Sequence, residues 1–253
     1  MSGDLGDGLS RVAVGAPIAT SASVFVDADD DVRAGFTAEW VAEALADVVA
    51  RQGRAVLGLV GGSSVATVHD RLREVDLDWS GVTITVADER AVPADDDRRN
   101  WRVVEPLVDP LVADGRLSSD DLVPLPDLPS DPTPDDVDEA LEVLRRRVER
   151  IDVALLGLGP DGHVASLFPG HPGLSSTGSF VVVDDAPKPP PLRMSATVGM
   201  LAGADAIALV GHGDAKAEAV AAVTTEGPLA ERPGRVVHLA RRGVVVTDRL
   251  PRT

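Results

Sequence analysis

The segment LLGLGPDGHVASLFPG, residues 155–170, sets a carboxylate and an imidazole two residues apart, Asp161 and His163, on a glycine-rich turn after the apolar run IDVALLG (151–157). Histidine is the side chain whose unperturbed pKa lies near neutrality, and a neighbouring carboxylate fixes its tautomer, so the pair suits general acid–base chemistry. A histidine that caps a short turn is the competing reading. The same segment carries Gly157, Gly159 and Gly162 in the G-x-G-x-x-G spacing of dinucleotide-binding turns. Asp184 and Asp185 come about twenty residues later, where a ribose-binding acid belongs. A pyrophosphate, however, needs the N-terminus of a long crossover helix. Pro169-Gly170 and Pro172-Gly173 leave room for only about one and a half helical turns. Asp161 would also set a negative charge beside the pyrophosphate. The expectation is a loop that presents His163, with no NAD and no other cofactor. His171 raises a metal site, but two histidines and an acid without a third clear ligand do not make one.

Two further loops carry candidate chemistry. In GLVGGSSVATVHDRL (58–72), Gly61 and Gly62 end a strand, Ser63 and Ser64 supply hydroxyls, and an amphipathic helix begins. Free N–H groups and hydroxyls converge there on a place for an anion, most simply a phosphate. A tight strand-to-helix turn with an N-cap serine accounts for the same residues. The Gly-Lys-Ser/Thr ending of a nucleotide P-loop is missing. In TVADERAVPADDDRRNWRVV (85–104), Asp88, Glu89 and Arg90 leave an apolar strand, where charges are costly unless they are solvated in a cleft or paired. One carboxylate there could orient a sugar hydroxyl, and Arg90 could hold an oxyanion; a surface turn of mutually paired charges is the alternative.

These loops need a scaffold, and the chain supplies an alternating one. Seven apolar runs read as strands: 23–28, 55–60, 82–88, 151–157, 180–185, 206–211 and RVVHLA at 235–240. Between the first two, Val32, Phe36, Trp40, Ala44 and Val48 with Val41, Leu45 and Val49 form one helix stripe behind the capping acids Asp29 to Asp31. DVDEALEVLRRRVER (136–150) repeats the pattern with acids first and arginines last, matching the helix dipole. The expected fold is α/β, a doubly wound, mostly parallel sheet with flanking helices, Rossmann-like, in which ligands sit beyond the carboxyl ends of the strands. Residues 123–136 read as a proline-rich excursion, residues 1–20 as a flexible tail, and 21–253 as one catalytic domain.

Composition limits the partners. With 24 Lys+Arg against 41 Asp+Glu the 253-residue chain has a formal charge of −17, which disfavours nucleic acid and anionic lipid. Cysteine is absent, so disulfides, thiolate catalysis and cysteine-ligated metals are excluded. No apolar run approaches the ~20 residues of a membrane span. The acidic opening MSGDLGDGLS does not resemble an export signal, and the expected location is the cytoplasm. A small-molecule ligand and a monomer or small homo-oligomer are expected.

Taken together, GGSS, DER followed by NW, and above all LLGLGPDGHVASLFPG resemble the 6-phosphogluconolactonases, within the wider group of glucosamine-6-phosphate isomerase/deaminases. The resemblance runs from about residue 20 to 247. It implies that His163 is the general base, with Asp161 beside it, and that Asp88 and Arg90 help form a lactone pocket. It implies a phosphate site of Gly61, Gly62, Ser63 and Ser64, joined by Arg193 of PPLRMSATV and Lys216 of GDAKAEAV. The chain departs from the family at Ser64-Val65, where Thr-Pro is usual, and at Arg99-Asn100-Trp101, where Ser-Asn-Tyr is usual. The implied reaction is water attack on the lactone carbonyl without metal or covalent nucleophile, and the G-x-S-x-G elbow of serine hydrolases is missing. An isomerase or deaminase of the same group, or a non-enzymatic sugar-phosphate sensor, would take the same class of ligand. The D-E-R triplet and Phe-Pro-Gly segment fit the lactonase better, and no DNA-binding segment supports a sensor.

Overall fold

The computed structural model describes residues 13–249. Twelve strands appear among the described residues: β1 (Pro17–Ile18), β2 (Ser23–Val26), β3 (Ala55–Leu59), β4 (Val82–Val86), β5 (Asp88–Arg90), β6 (Leu122–Val123), β7 (Val153–Gly157), β8 (Phe180–Val183), β9 (Arg193–Ala196), β10 (Ala206–Val210), β11 (Gly227–Pro228) and β12 (Arg242–Thr247). Six α-helices accompany them: α1 (Asp30–Gln52), α2 (Ser63–Glu74), α3 (Trp101–Ala113), α4 (Pro134–Arg147), α5 (Val198–Ala202) and α6 (Ala217–Val223).

Seven strands form one parallel sheet in the order β2-β12-β10-β7-β3-β4-β6. Strands covered on both faces should be apolar throughout rather than alternating, and AIALV of β10 is buried at every position. Leu57, Leu59, Ile84, Leu155, Leu156, Ile207 and Leu209 are fully buried in one cluster, each contributing roughly 1.5–3 kcal/mol. The helix boundaries obey local chemistry. Asp29 caps α1 by accepting from the N–H groups of Asp31 and Val32, and Gly53 ends it in the left-handed region at φ 77°. Thr133 and Asp136 cap α4 reciprocally, and Arg145, Arg146 and Arg147 lie in its last turn.

Four expectations need correction. RVVHLA is not a strand: the last strand is β12, seven residues further on from Arg235, and Pro233–His238 is a buried 3₁₀ turn. Pro233-Gly234 starts that turn, and Arg235 spends its guanidinium on the carbonyls of Ala222, Thr225 and Pro228, so a short apolar run is satisfied without pairing. The run at 180–185 is strand only to Val183, and it joins β9 and β5 in a separate three-stranded antiparallel sheet. Asp88, Glu89 and Arg90 are that sheet's β5, so they are a strand and not a loop. Of the expected tail, residues 1–12 lie outside the described residues; from Val14 the chain is held, with Ala230 N–H bonded to the Val14 carbonyl and β1 paired with β11.

The sheet order positions the site. From β3 the chain moves through α2 to its neighbour β4, whereas β7 leads to β10 on its other side, so the winding reverses between the adjacent β7 and β3. Such a switch point leaves a crevice beyond the carboxyl ends of the strands. The segments leaving β3, β4, β7 and β10, four neighbours, carry G-G-S-S, D-E-R, D-G-H and Lys216 respectively.

Candidate active site

The segment leaving β3 makes an uncapped helix start. Gly62 is the N-cap of α2 at φ 105°, with no side-chain capping bond and no acid in the first turn. The expected serine cap is therefore not made, and the N–H groups of Ser63 and Ser64 and the Ser63 hydroxyl have no partner among the described residues. Lys216, on the segment leaving β10, donates from Nζ to Ser64 Oγ at 2.5 Å. Burial, with the charge of Lys188, lowers its pKa.

The β5 carboxylates divide their work. Asp88, 4% exposed, accepts from Asn100 Nδ2 at 2.9 Å and from Ser166 Oγ at 2.8 Å. Glu89 turns the other way and accepts from the N–H groups of Arg90, Asn100 and Trp101 at the start of α3. Burial pushes its pKa up to about 7, against those bonds and the Arg99 guanidinium 3.7 Å away. Glu89 is thus a structural acid. Arg90 donates from Nη1 to the Arg98 carbonyl at 2.6 Å, and its buried Nε has no partner among the described residues.

The D-G-H turn presents its histidine. His163 Nδ1 bonds to Asp161 Oδ1, and the Gly159 N–H closes the turn on the His163 carbonyl at 2.8 Å. The glycine spacing serves the imidazole: a Cβ on Gly159 would lie 2.0 Å from His163 Nδ1. No helix comes next; residues 163–170 are turns with one bridge between Val164 and Leu167, and Ala165 takes φ 50°, uncommon for a residue with a Cβ. Burial lowers the pKa of His163, opposed by Asp161 and aided by the charge of Lys188. Burial also raises Asp161, but the bond and charge of His163 together hold its carboxyl below the usual range. An ionised carboxylate accepts the Nδ1 proton, which leaves the lone pair on Nε2, an atom able to accept a proton.

The structure joins most of the expected residues. The Ser166–Asp88 bond links the His163 loop to β5, and Asn100 links β5 to Gly61, where a Cβ would lie 2.1 Å from Asn100 Oδ1. Asn100, notable in the sequence only as part of a departure from family pattern, is thus a hub. Arg193 donates to the carbonyls of Lys188 and Pro190 at 2.8 and 3.0 Å and lies over the Phe168 ring, 5.7 Å from its centroid. Its Nη1 has no hydrogen-bond partner among the described residues and remains for a ligand. His171 bonds to Asp185 and receives the Gly173 N–H, which makes it a turn cap. Sequence reasoning missed Ser166, Asn100 and Lys188; the one signal was that Lys188 and Lys216 are the chain's two lysines among 24 Lys+Arg.

The family described as glucosamine-6-phosphate isomerases/6-phosphogluconolactonase matches residues 28–246. The chain is 33% identical to a 6-phosphogluconolactonase of Mycobacterium leprae over 84% of this chain and 90% of that protein. It is 30% identical to one of Streptomyces coelicolor over 90% and 94%. A solved 6-phosphogluconolactonase from Shewanella baltica superposes with a TM-score of 0.76 at 26% identity, covering 91% of this chain and 98% of that one.

The contact between Gly61 and Asn100 can be tested by urea denaturation. A methyl at residue 61 also lies 3.1 Å from Asn100 Cα, so side-chain rotation does not relieve it. Gly61→Ala is expected to lose about 1–3 kcal/mol. Gly35→Ala, in α1 with nothing within 4 Å, is expected to gain about 0.5–1 kcal/mol. An unchanged midpoint for Gly61→Ala would show that the two loops do not touch.

Proposed function

Because this chain belongs to the family of glucosamine-6-phosphate isomerases and 6-phosphogluconolactonases, we propose that it hydrolyses 6-phospho-D-glucono-1,5-lactone to 6-phosphogluconate in the oxidative pentose phosphate pathway. One observation carries the chemistry: a neutral, carboxylate-oriented imidazole stands at the same switch point as an uncapped helix start joined to a lysine. The phosphate would take the N–H groups and hydroxyls of Gly61 to Ser64, the Lys216 ammonium and the free Nη1 of Arg193. The ring would lie toward Asp88 and Arg90.

His163 Nε2 then takes a proton from water as the oxygen attacks C1, and the carbonyl oxygen becomes an oxyanion. On collapse the bond from C1 to the ring oxygen breaks, and the imidazolium returns the proton to that oxygen. Asp161 holds the tautomer and steadies the imidazolium. Asp88, with both oxygens already bonded, positions rather than transfers protons. In this reading residues 21–253 act as one catalytic unit in the cytoplasm.

A coupled assay on freshly made lactone, with the spontaneous opening subtracted, is the direct test. Fructose 6-phosphate with ammonia, run beside it, is expected to give no turnover; turnover there alone would replace lactone hydrolysis by isomerase/deaminase chemistry. His163→Asn is expected to slow hydrolysis by roughly two orders of magnitude or more while the fold persists. Activity within about threefold of the unsubstituted chain would remove His163 from the mechanism.

The pH dependence has a definite sign. A base with its pKa lowered below 6.5 stays neutral, and active, to more acid pH, so kcat/KM should fall only as pH drops through a value below 6.5. Asp161→Asn removes a charge that raises that pKa, so the acid limb should move further down while the plateau falls. An unmoved limb would show that the two side chains do not interact.

On a chain of charge −17 an anionic substrate depends on local cations. Lys216→Ala is expected to raise KM for the phosphorylated lactone by roughly ten- to hundredfold, the equivalent of about 1.5–3 kcal/mol for a charge-assisted bond. Hydrolysis of unphosphorylated glucono-1,5-lactone should hardly change. Equal losses on both substrates would make Lys216 structural.

A further inference from the structure

The chain has two lysines, Lys188 and Lys216, among 24 Lys+Arg, and both stand at this site. A compact ammonium with three rotatable donors suits a small oxygen better than a planar guanidinium does. Lys216 is joined to Ser64, while Lys188 is exposed and has no carboxylate within 4.0 Å among the described residues, a free cation in a strongly acidic chain.

Its segment is fixed against the base. Between β8 and β9 the chain folds back through a bond from the Ala186 N–H to the Pro191 carbonyl at 3.0 Å. Arg193 gathers the carbonyls of Lys188 and Pro190, its guanidinium lies on Phe168, and the Phe168 ring is 4.9 Å from that of His163. Pro189, Pro190 and Pro191 stiffen the backbone immediately after Lys188. The Lys188 backbone is thus tied through Arg193 and Phe168 to the loop that carries His163, and its side chain, without a carboxylate partner among the described residues, is available to deliver charge. The competing donor, Arg90, has its Nη1 engaged by the Arg98 carbonyl, while its buried Nε has no partner among the described residues.

Resting on the lactonase reading above, we propose that Lys188 is the cation that holds the oxyanion formed at C1 when water attacks the lactone. Its charge is felt at His163, Asp161 and Lys216. In the free protein it adds to the burial that lowers the His163 pKa; in the transition state it meets the negative charge as it forms. When the ring opens, the same oxygen becomes part of the carboxylate, and the acid's proton passes to solvent. The charged groups that act on His163 are Asp161 on its own loop, Asp88 from β5 and Lys188 from the β8–β9 segment; Arg232 packs its aliphatic stem on Gly162.

Lys188→Met and Lys188→Arg, assayed on phosphorylated and unphosphorylated gluconolactone, test the assignment. The side chain is exposed, so both variants should fold. Lys188→Met is expected to lower kcat on both lactones by the same factor, about 100-fold, the usual scale for one oxyanion donor. Its acid limb should move to higher pH, because a cation that lowers the His163 pKa is gone. Lys188→Arg keeps the charge and should stay within about tenfold of the unsubstituted chain. A loss confined to the phosphorylated lactone, carried in KM, would overturn the proposal and make Lys188 a phosphate ligand. Unchanged kinetics, or an equal loss without movement of the limb, would overturn it as well. An unsubstituted chain that does not exceed the spontaneous rate would instead remove the lactonase reading itself.

Discussion

The architecture of the site depends on one buried anion. Asp88 is 4% exposed, and a carboxylate withdrawn from water is tolerated only where donors replace the lost hydration. Asn100 Nδ2, at the start of α3, supplies one bond, and Ser166 Oγ, three residues beyond the base, supplies the other. Segments leaving β4 and β7, the strands on either side of β3, must therefore meet at one point. Asn100 also backs onto Gly61, so the anion nest is registered against the same side chain. The cost of leaving Asp88 unpaired is what keeps base, nest and pocket in a fixed relation.

Around that anchor the charges are sorted by role. Glu89, one residue along, is buried deeper but faces only backbone N–H groups and Arg99, and it secures the start of α3 without entering the site. On the opposite side the basic groups are few and local: Lys216 on the nest, Lys188 near the base, Arg193 between β9 and Phe168. A surface of charge −17 repels an anionic substrate at a distance, and with a Debye length of about 8 Å at physiological salt only nearby cations reverse this. In the proposed function, selection for the phosphorylated ligand then rests on short-range contacts.

Much of this is legible in the sequence because it is local. The parallel sheet can be read from apolar runs, the helix starts from Asp29 and the α4 acids, and His163 with Asp161 from adjacency on a turn. The illegible part is non-local. No pattern near Ser166 says that its hydroxyl meets a carboxylate 78 positions earlier, and nothing in RRNW says that Asn100 bridges two strand ends. The Asp88 triplet reads as a loop because the chain changes sheets at Ala87 without a turn residue to mark it. RVVHLA reads as a strand because a buried 3₁₀ turn and a buried strand are equally apolar over six residues.

The G-x-G-x-x-G spacing shows why a motif needs its physical context. In a dinucleotide fold the glycines let backbone approach a pyrophosphate, and the helix after them supplies N–H groups. Here the helix is absent and the space goes to a ring: Gly159 yields the volume beside His163 Nδ1. In the proposed function the anion-binding task falls one strand over, to Gly62 and the uncapped α2. Both arrangements would exploit the same crevice and the same lack of Cβ atoms, one loop delivering a base and its neighbour receiving the anion. Separating those tasks onto adjacent strands would let the imidazole stay neutral beside a carboxylate while a phosphate is held by a different set of dipoles.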